Sequence, residues 1–188
     1  MKVKQLLAIA LMVAPAIASA HPGHGLNNAY AAFMHPLTGW DHLLVMLAVG
    51  LWAGKLGGSA RWQLPVTFVI LMAVGAVLGA SGIAFGGLET GIAASVMALG
   101  LLLVISLSIQ PMLRIMLIAT FAVLHGMSHG AELPLQSGIE TMAAMLFATT
   151  LLHLTGLALS SQRLSLPKPV HTFMGILMLG VGGYLMIA

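Results

Sequence analysis

The sequence has no cysteine. That excludes disulfides, iron–sulfur clusters and thiolate metal sites. Charge is almost as scarce: only 6% of the 188 residues are Asp, Glu, Lys or Arg, against about 25% in a soluble domain. With 60% hydrophobic residues and a mean hydropathy of +1.06, the chain cannot cover itself with a soluble surface. It belongs in a bilayer. No hydrophilic block is long enough to make a second domain, and no G-x-x-x-x-G-K-[ST] run occurs. A built-in ATPase is therefore not expected. The formal net charge of +3 comes from few groups. It reads as topology rather than nucleic-acid affinity, so no nucleic-acid partner is expected.

The first twenty residues, MKVKQLLAIALMVAPAIASA, read as processing rather than fold. Lys2 and Lys4 precede an apolar core from Leu6 to about Ile17, and Ala18-Ser19-Ala20 follows as an A-x-A-like cleavage site. The core is too short to span a bilayer, which takes about 20 apolar residues. A cleaved signal peptide over 1–20 is expected, followed by one transmembrane domain over 21–188. Cleavage would leave His21 at a new N-terminus with His24 nearby, a site for metal capture.

Six apolar runs read as transmembrane helices, at about 37–55, 64–81, 88–107, 111–131, 138–160 and 170–187. The predicted fold is an all-α, compact six-helix bundle. Pro36, Pro65, Pro111 and Pro169 fall at or near helix starts, where a missing N–H costs little. If the mature N-terminus lies outside, the cytoplasmic loops are 56–63, 108–110 and 161–169. Arg61, Arg163 and Lys168 fall in them, and Lys55 and Arg114 border them. The outer segments 21–36, 82–87 and 132–137 hold no Lys or Arg. This obeys the positive-inside rule. It puts both mature termini on the side away from the cytoplasm. Gly50/Gly54/Gly58, Gly75/Gly79, Gly87/Gly91 and Gly126/Gly130 recur at i, i+4, which suits close helix packing.

The few polar residues of the spans gather at one depth. Asp41 and His42 lie in the first or second turn of the first span. On a regular helix opening at Pro36, His35 is the cap and shares a face with His42. The fourth span ends in FAVLHGMSHGAEL, where His125, His129 and Glu132 stand at i, i+4 and i+7 within about a 60° arc. Glu89 and Glu140 fall at the outer starts of spans three and five. Thus the four acids of the chain all lie in the outer half or at its mouth. His153 sits lower, and His171 is near the cytoplasmic end. Intramembrane ionisable groups are expensive and mark functional sites. His35, Asp41, His42, His125, His129 and Glu132 together read as a cation site. Imidazole and carboxylate without thiolate suit Ni, Zn, Co, Cu(II) or Fe(II). The fourteen methionines are scattered and read as packing.

With these motifs in place, the chain resembles the HupE/UreJ family of small bacterial membrane proteins. HPLTGWDHLLVM at 35–46 is similar to the family's H-P-x-x-G-x-D-H first-span signature. HGMSHGAE at 125–132 is similar to its H-G-x-x-H-G-x-E fourth-span signature, and LLHLTG at 151–156 resembles a weaker fifth-span pattern. The resemblance covers essentially the whole chain. It implies a nickel permease, with cobalt as an alternative cargo, that supplies hydrogenase or urease maturation. Metallochaperones of that maturation would be its partners. No prosthetic group and no catalysis are implied, and the six residues above become the transport site.

A transport route follows from the same residues. His21, His24 and the outer acids Glu89 and Glu140 would meet hydrated metal. The ion would then bind between spans one and four, and His153 could serve as an exit site. A divalent ion gains about 4.6 kcal/mol across 100 mV, about a thousandfold accumulation, so ATP is not required in principle. The histidines must be neutral to bind, so uptake should fall as pH drops through about 6. Two rival readings use the same ligands. One is an intramembrane zinc-dependent hydrolase, with Ser128 or a carboxylate as helper. The other is a metal-sensing or assembly subunit that does not transport.

Overall fold

A computed structural model describes residues 28–83, 86–105, 107–132, 138–160 and 168–187. Residues 1–20, expected to be a signal peptide, and His21, His24 and Arg163 lie outside the described residues. The described chain is all-helical. Its helices are α1 (Ala29–Thr38), α2 (Trp40–Leu56), α3 (Ala60–Ala80), α4 (Leu88–Val104), α5 (Pro111–Glu132), α6 (Gly138–Leu159) and α7 (Lys168–Leu185). Helices α3, α5 and α6 are each long and apolar enough to cross a membrane, and α1 with α2 passes the same test as a bent pair. Helix α4 and the apolar part of α7 are shorter. Large apolar side chains face outward along α3 (Val66, Ile70, Val74, Val77) and α5 (Met112, Leu113, Met116). Such surfaces suit lipid, where only internally bonded helices persist. The chain is a multi-pass helical membrane protein.

The first predicted span differs most from expectation. A single regular helix from 37 to 55 with His35 as its cap does not form. The helix starts earlier, at Ala29, where the Asn28 side chain accepts the Ala31 N–H at 2.8 Å. His35 and Pro36 lie inside α1. The chain then breaks at Gly39, which is extended (φ −80°, ψ 120°), and α2 leaves at 77° to α1. Gly39 N–H still reaches the His35 carbonyl at 3.1 Å, and its own carbonyl starts α2 by accepting from Leu43. Pro36 explains part of the weakness, because it cannot donate to the Ala32 carbonyl. A side chain at Gly39 would press on the Asp41 carboxylate and the His42 ring. The kink thus has two local causes, one at the proline and one at the glycine.

Other boundaries shift less. Helix α3 opens at Ala60, so Pro65 lies inside it rather than at its start. Helix α4 ends at Val104 because Ile105 turns extended. There Lys55, from the end of α2, donates its Nζ to the carbonyls of Leu102, Leu103 and Ile105 at 3.3, 3.0 and 3.2 Å. A lysine on the last carbonyls of a helix satisfies orphan acceptors and the negative end of the dipole. The bond also fixes topology, since the C-terminal ends of α2 and α4 lie at the same end of the bundle. Arg114 caps the neighbouring connection by donating Nε to the Ile109 carbonyl at 2.6 Å.

Glycines set the tightest packing. A Cβ on Gly75 or Gly79 of α3 would collide with the Val123 or Met127 carbonyl of α5. One on Gly126 or Gly130 of α5 would strike the Met72 or Ala76 carbonyl of α3. The two i, i+4 pairs therefore interlock, as small-residue faces do in membranes. Gly50 and Gly156 join α2 to α6 in the same way, and Gly100 with Gly175 joins α4 to α7. Gly58 and Gly87 do not belong to such faces. Both have positive φ (52° and 101°) in the connections, with open space beside them.

Candidate metal centre

Three elements deliver imidazoles to one place. Helix α1 supplies His35 from its last turn, α2 supplies His42 from its first, and α5 supplies His129. Each offers a ring nitrogen, and these three nitrogens lie within 4.8 Å of one another. The ring centroids of His42 and His129 are 4.4 Å apart, those of His35 and His129 4.9 Å, and those of His35 and His42 5.2 Å. Helices α2 and α5 are not one of the closely packed pairs, so these side chains fill the space between them.

Closely interlocked glycines hold this geometry from behind. Gly126 and Gly130 flank His125 and His129 in sequence and press α5 onto α3. On an α-helix the adjacent residues point about 100° away, so the glycine face and the histidine face are separate. One sequence stretch thereby packs on one side and presents ligands on another.

His125 extends the cluster inward. Its ring is 5.4 Å from His42, and its Nδ1 meets the Phe121 carbonyl at 2.8 Å. With Nδ1–H donating to that carbonyl, Nε2 keeps its lone pair. His125 and His129 are fully buried. His125 Nε2, both nitrogens of His129 and His42 Nε2 have no hydrogen-bond partner among the described residues. A buried polar atom left unpaired costs about 1–3 kcal/mol. Several such atoms on three neighbouring rings are costly in a resting core and leave lone pairs free for a ligand.

The carboxylates sit at the rim. Asp41 Oδ1 accepts the His42 backbone N–H at 2.9 Å and lies 2.6 Å from His42 Nδ1. The approach to Nδ1 is close but oblique, not aligned as a hydrogen bond. Glu132 Oε2 lies 3.6 Å from His35 Nε2, with about half its side chain exposed. The order from mouth to interior is therefore Glu132 and His35, then Asp41, His42 and His129, then His125.

The structure brings together all six residues that the sequence marks: His35, Asp41, His42, His125, His129 and Glu132. His35 and His42 meet across the Gly39 break rather than along one regular helix. Glu89 and Glu140 stand exposed in the first turns of α4 and α6, without an ion pair among the described residues; Glu140 lies outside the cluster, whereas Glu89 is near enough to Glu132 at its mouth for the two carboxylates to repel. His153 is buried on α6, where its Nδ1 meets the Met46 carbonyl at 2.7 Å. Ser160 Oγ contacts His171 at 3.3 Å near the other end of the bundle. Two contributors escaped sequence reasoning. Gly39 makes the bend, which its place between Pro36 and Asp41 hinted at. Phe68 packs on both His125 and His153, and a phenylalanine inside an apolar run carries no signal of that.

An all-helical, lipid-facing bundle with a buried imidazole cluster near one end defines a class of multi-pass membrane protein. The chain belongs to the HupE/UreJ family: the family described as "HupE / UreJ protein" matches residues 9–185. The chain is also 43% identical over 156 residues to "Protein HupE" of Rhizobium leguminosarum bv. viciae, covering 82% of each chain. No solved structure matches it.

Proposed function

We propose that this protein is a secondary permease that imports a divalent transition metal, with Ni²⁺ the preferred cargo and Co²⁺ the alternative. The observation that carries the reading is the convergence of His35, His42 and His129 from three helices, with ring nitrogens within 4.8 Å of one another. Buried imidazoles without hydrogen-bond partners suit borderline cations and reject Mg²⁺ and Ca²⁺, which take oxygen ligands. Family membership supports nickel as the cargo and hydrogenase or urease maturation as its destination.

In this reading α1 and α2 form one bent span, and α3 to α7 complete a six-span bundle in the bacterial inner membrane. The N-terminal twenty residues are a cleaved signal peptide, and both mature termini are periplasmic. Lys55, Arg61 and Arg114, gathered at one end, support that orientation. The metal ion meets the outer carboxylates, sheds water, and passes to His35, His42 and His129. Its +2 charge is drawn inward by the membrane potential. No chemical transformation is involved.

The test is Ni²⁺ uptake into liposomes that contain the purified protein and an internal metal-sensitive dye. Saturable uptake that His42→Ala abolishes, with Co²⁺ and Zn²⁺ as competitors, is the expected result. Tight binding with no uptake would instead favour a zinc hydrolase or a metal-sensing subunit.

A further inference from the structure

Beneath the outer cluster lies a second imidazole that the cluster does not use. His153 is 1% exposed. Its Nδ1 bonds the Met46 carbonyl, which leaves Nε2 as a lone-pair nitrogen with no hydrogen-bond partner among the described residues. One residue separates it from the cluster. The Phe68 ring lies 5.8 Å from the His125 ring and 5.0 Å from the His153 ring, edge-on to the latter. Phe68 is itself fully buried.

The depths fit a path. His125 is seven residues from the Glu132 end of α5, about 10 Å along the helix. His153 is six residues from the Leu159 end of α6, about 9 Å from the opposite side. Helix α6 starts at the Glu140 end, and helical side chains tilt toward their own N-terminus. The His153 ring thus leans back toward Phe68. Thr149, one turn earlier on α6, is fully buried and places Oγ1 3.9 Å from Met72 Sδ, one turn beyond Phe68 on α3. Met72 packs against Gly126, so this hydroxyl and thioether lie level with His125, on the cluster side of the Phe68 ring, and His153 alone lies beyond it.

We propose that His153 is a second metal-binding position, which receives the ion from His125 after the Phe68 ring swings aside. This rests on the permease reading above. Phe68 acts as an apolar constriction between the two positions, so water and ions do not pass freely while it is closed. A purely structural histidine needs only its Nδ1 bond to Met46. That bond accounts for one ring nitrogen and leaves the other unexplained.

His153→Asn separates the two roles, because the Asn side-chain amide can keep the bond to the Met46 carbonyl while the Nε2 ligand is lost. The measurements are Ni²⁺ uptake into proteoliposomes and Ni²⁺ binding to the purified full chain by calorimetry. In His153→Asn, initial uptake should fall about tenfold or more, while binding at the outer cluster stays close to wild type. Phe68→Leu, with His153 intact, should raise the uptake rate by opening the constriction, and should not rescue His153→Asn. Wild-type uptake by His153→Asn overturns the proposal. Should His153→Asn also lose outer binding, Phe68→Leu decides, and an unchanged rate overturns it. Tight Ni²⁺ binding by the wild-type protein with no saturable uptake would fail the permease reading itself, a different result from either of these.

Discussion

Asp41→Asn tests whether the outer cluster holds a cation as proposed. The substitution keeps shape and removes one negative charge. Asp41 Oδ1 is 2.6 Å from His42 Nδ1, and a metal would bind across the ring at Nε2. Ring width and a metal–nitrogen bond of about 2.1 Å put the carboxylate roughly 6–7 Å from the ion. At an effective dielectric of about 20, a −1 and a +2 charge at that distance attract by about 5 kcal/mol. That figure is an upper bound. Asp41 is about a quarter exposed, so water screens it, and its own hydration is lost as the site closes. Carboxylates behind ligating histidines typically contribute about 10–100-fold in metal affinity, or about 1.4–2.8 kcal/mol. The smaller range governs here. Calorimetry of Ni²⁺ binding should show Asp41→Asn weakened by about 10–100-fold, with uptake reduced in parallel and no change in fold by circular dichroism. Wild-type affinity in Asp41→Asn, alongside loss of binding in His42→Ala, would refute the reasoning. Asp41 would then serve only to accept the His42 backbone N–H.

Other consequences follow from the packing and the rim. Gly126→Val should lower stability by about 1–3 kcal/mol or more, because its side chain meets the Met72 carbonyl and Ala76 N–H of α3. Thermal unfolding in detergent would show it, and Ni²⁺ binding should weaken with it as α5 is pushed away. Lys55→Met should lower the melting temperature without changing Ni²⁺ affinity, since it removes three bonds to the carbonyls that end α4 and touches nothing in the cluster. Glu140→Gln should leave equilibrium Ni²⁺ affinity at the wild-type value, because Glu140 lies outside the six clustered residues; a large loss would place it among the ligands. Gly39→Val should impair Ni²⁺ binding by displacing Asp41 and His42, which calorimetry would register as lower affinity.

The class of protein and the residues that cluster in the candidate site are legible in the sequence because both leave one-dimensional traces. A chain with 6% charge must be covered by lipid, and ionisable groups in so apolar a chain stand out. His125, His129 and Glu132 share a face because α5 is regular over its full length. The interlocking of Gly75/Gly79 with Gly126/Gly130 was legible as small-residue spacing, although which glycines pair across helices was not. Three features were hidden. The bend between α1 and α2 depends on how Pro36 and Gly39 weaken neighbouring turns together, and a hydropathy pattern averages over such a break. Gly58 and Gly87 fit an i, i+4 pattern but adopt positive φ in connections, a backbone property that spacing does not encode. Phe68 matters through its place between two imidazoles on other helices, and that contact exists only once the bundle has formed.

The most direct test of the central claim is the nickel coordination sphere itself, read by X-ray absorption on purified protein loaded with one equivalent of Ni²⁺. The account predicts imidazole scattering from His35, His42 and His129, with the signal diminished by one ring in His129→Ala. An all-oxygen sphere, or a spectrum unchanged in His129→Ala, would contradict it.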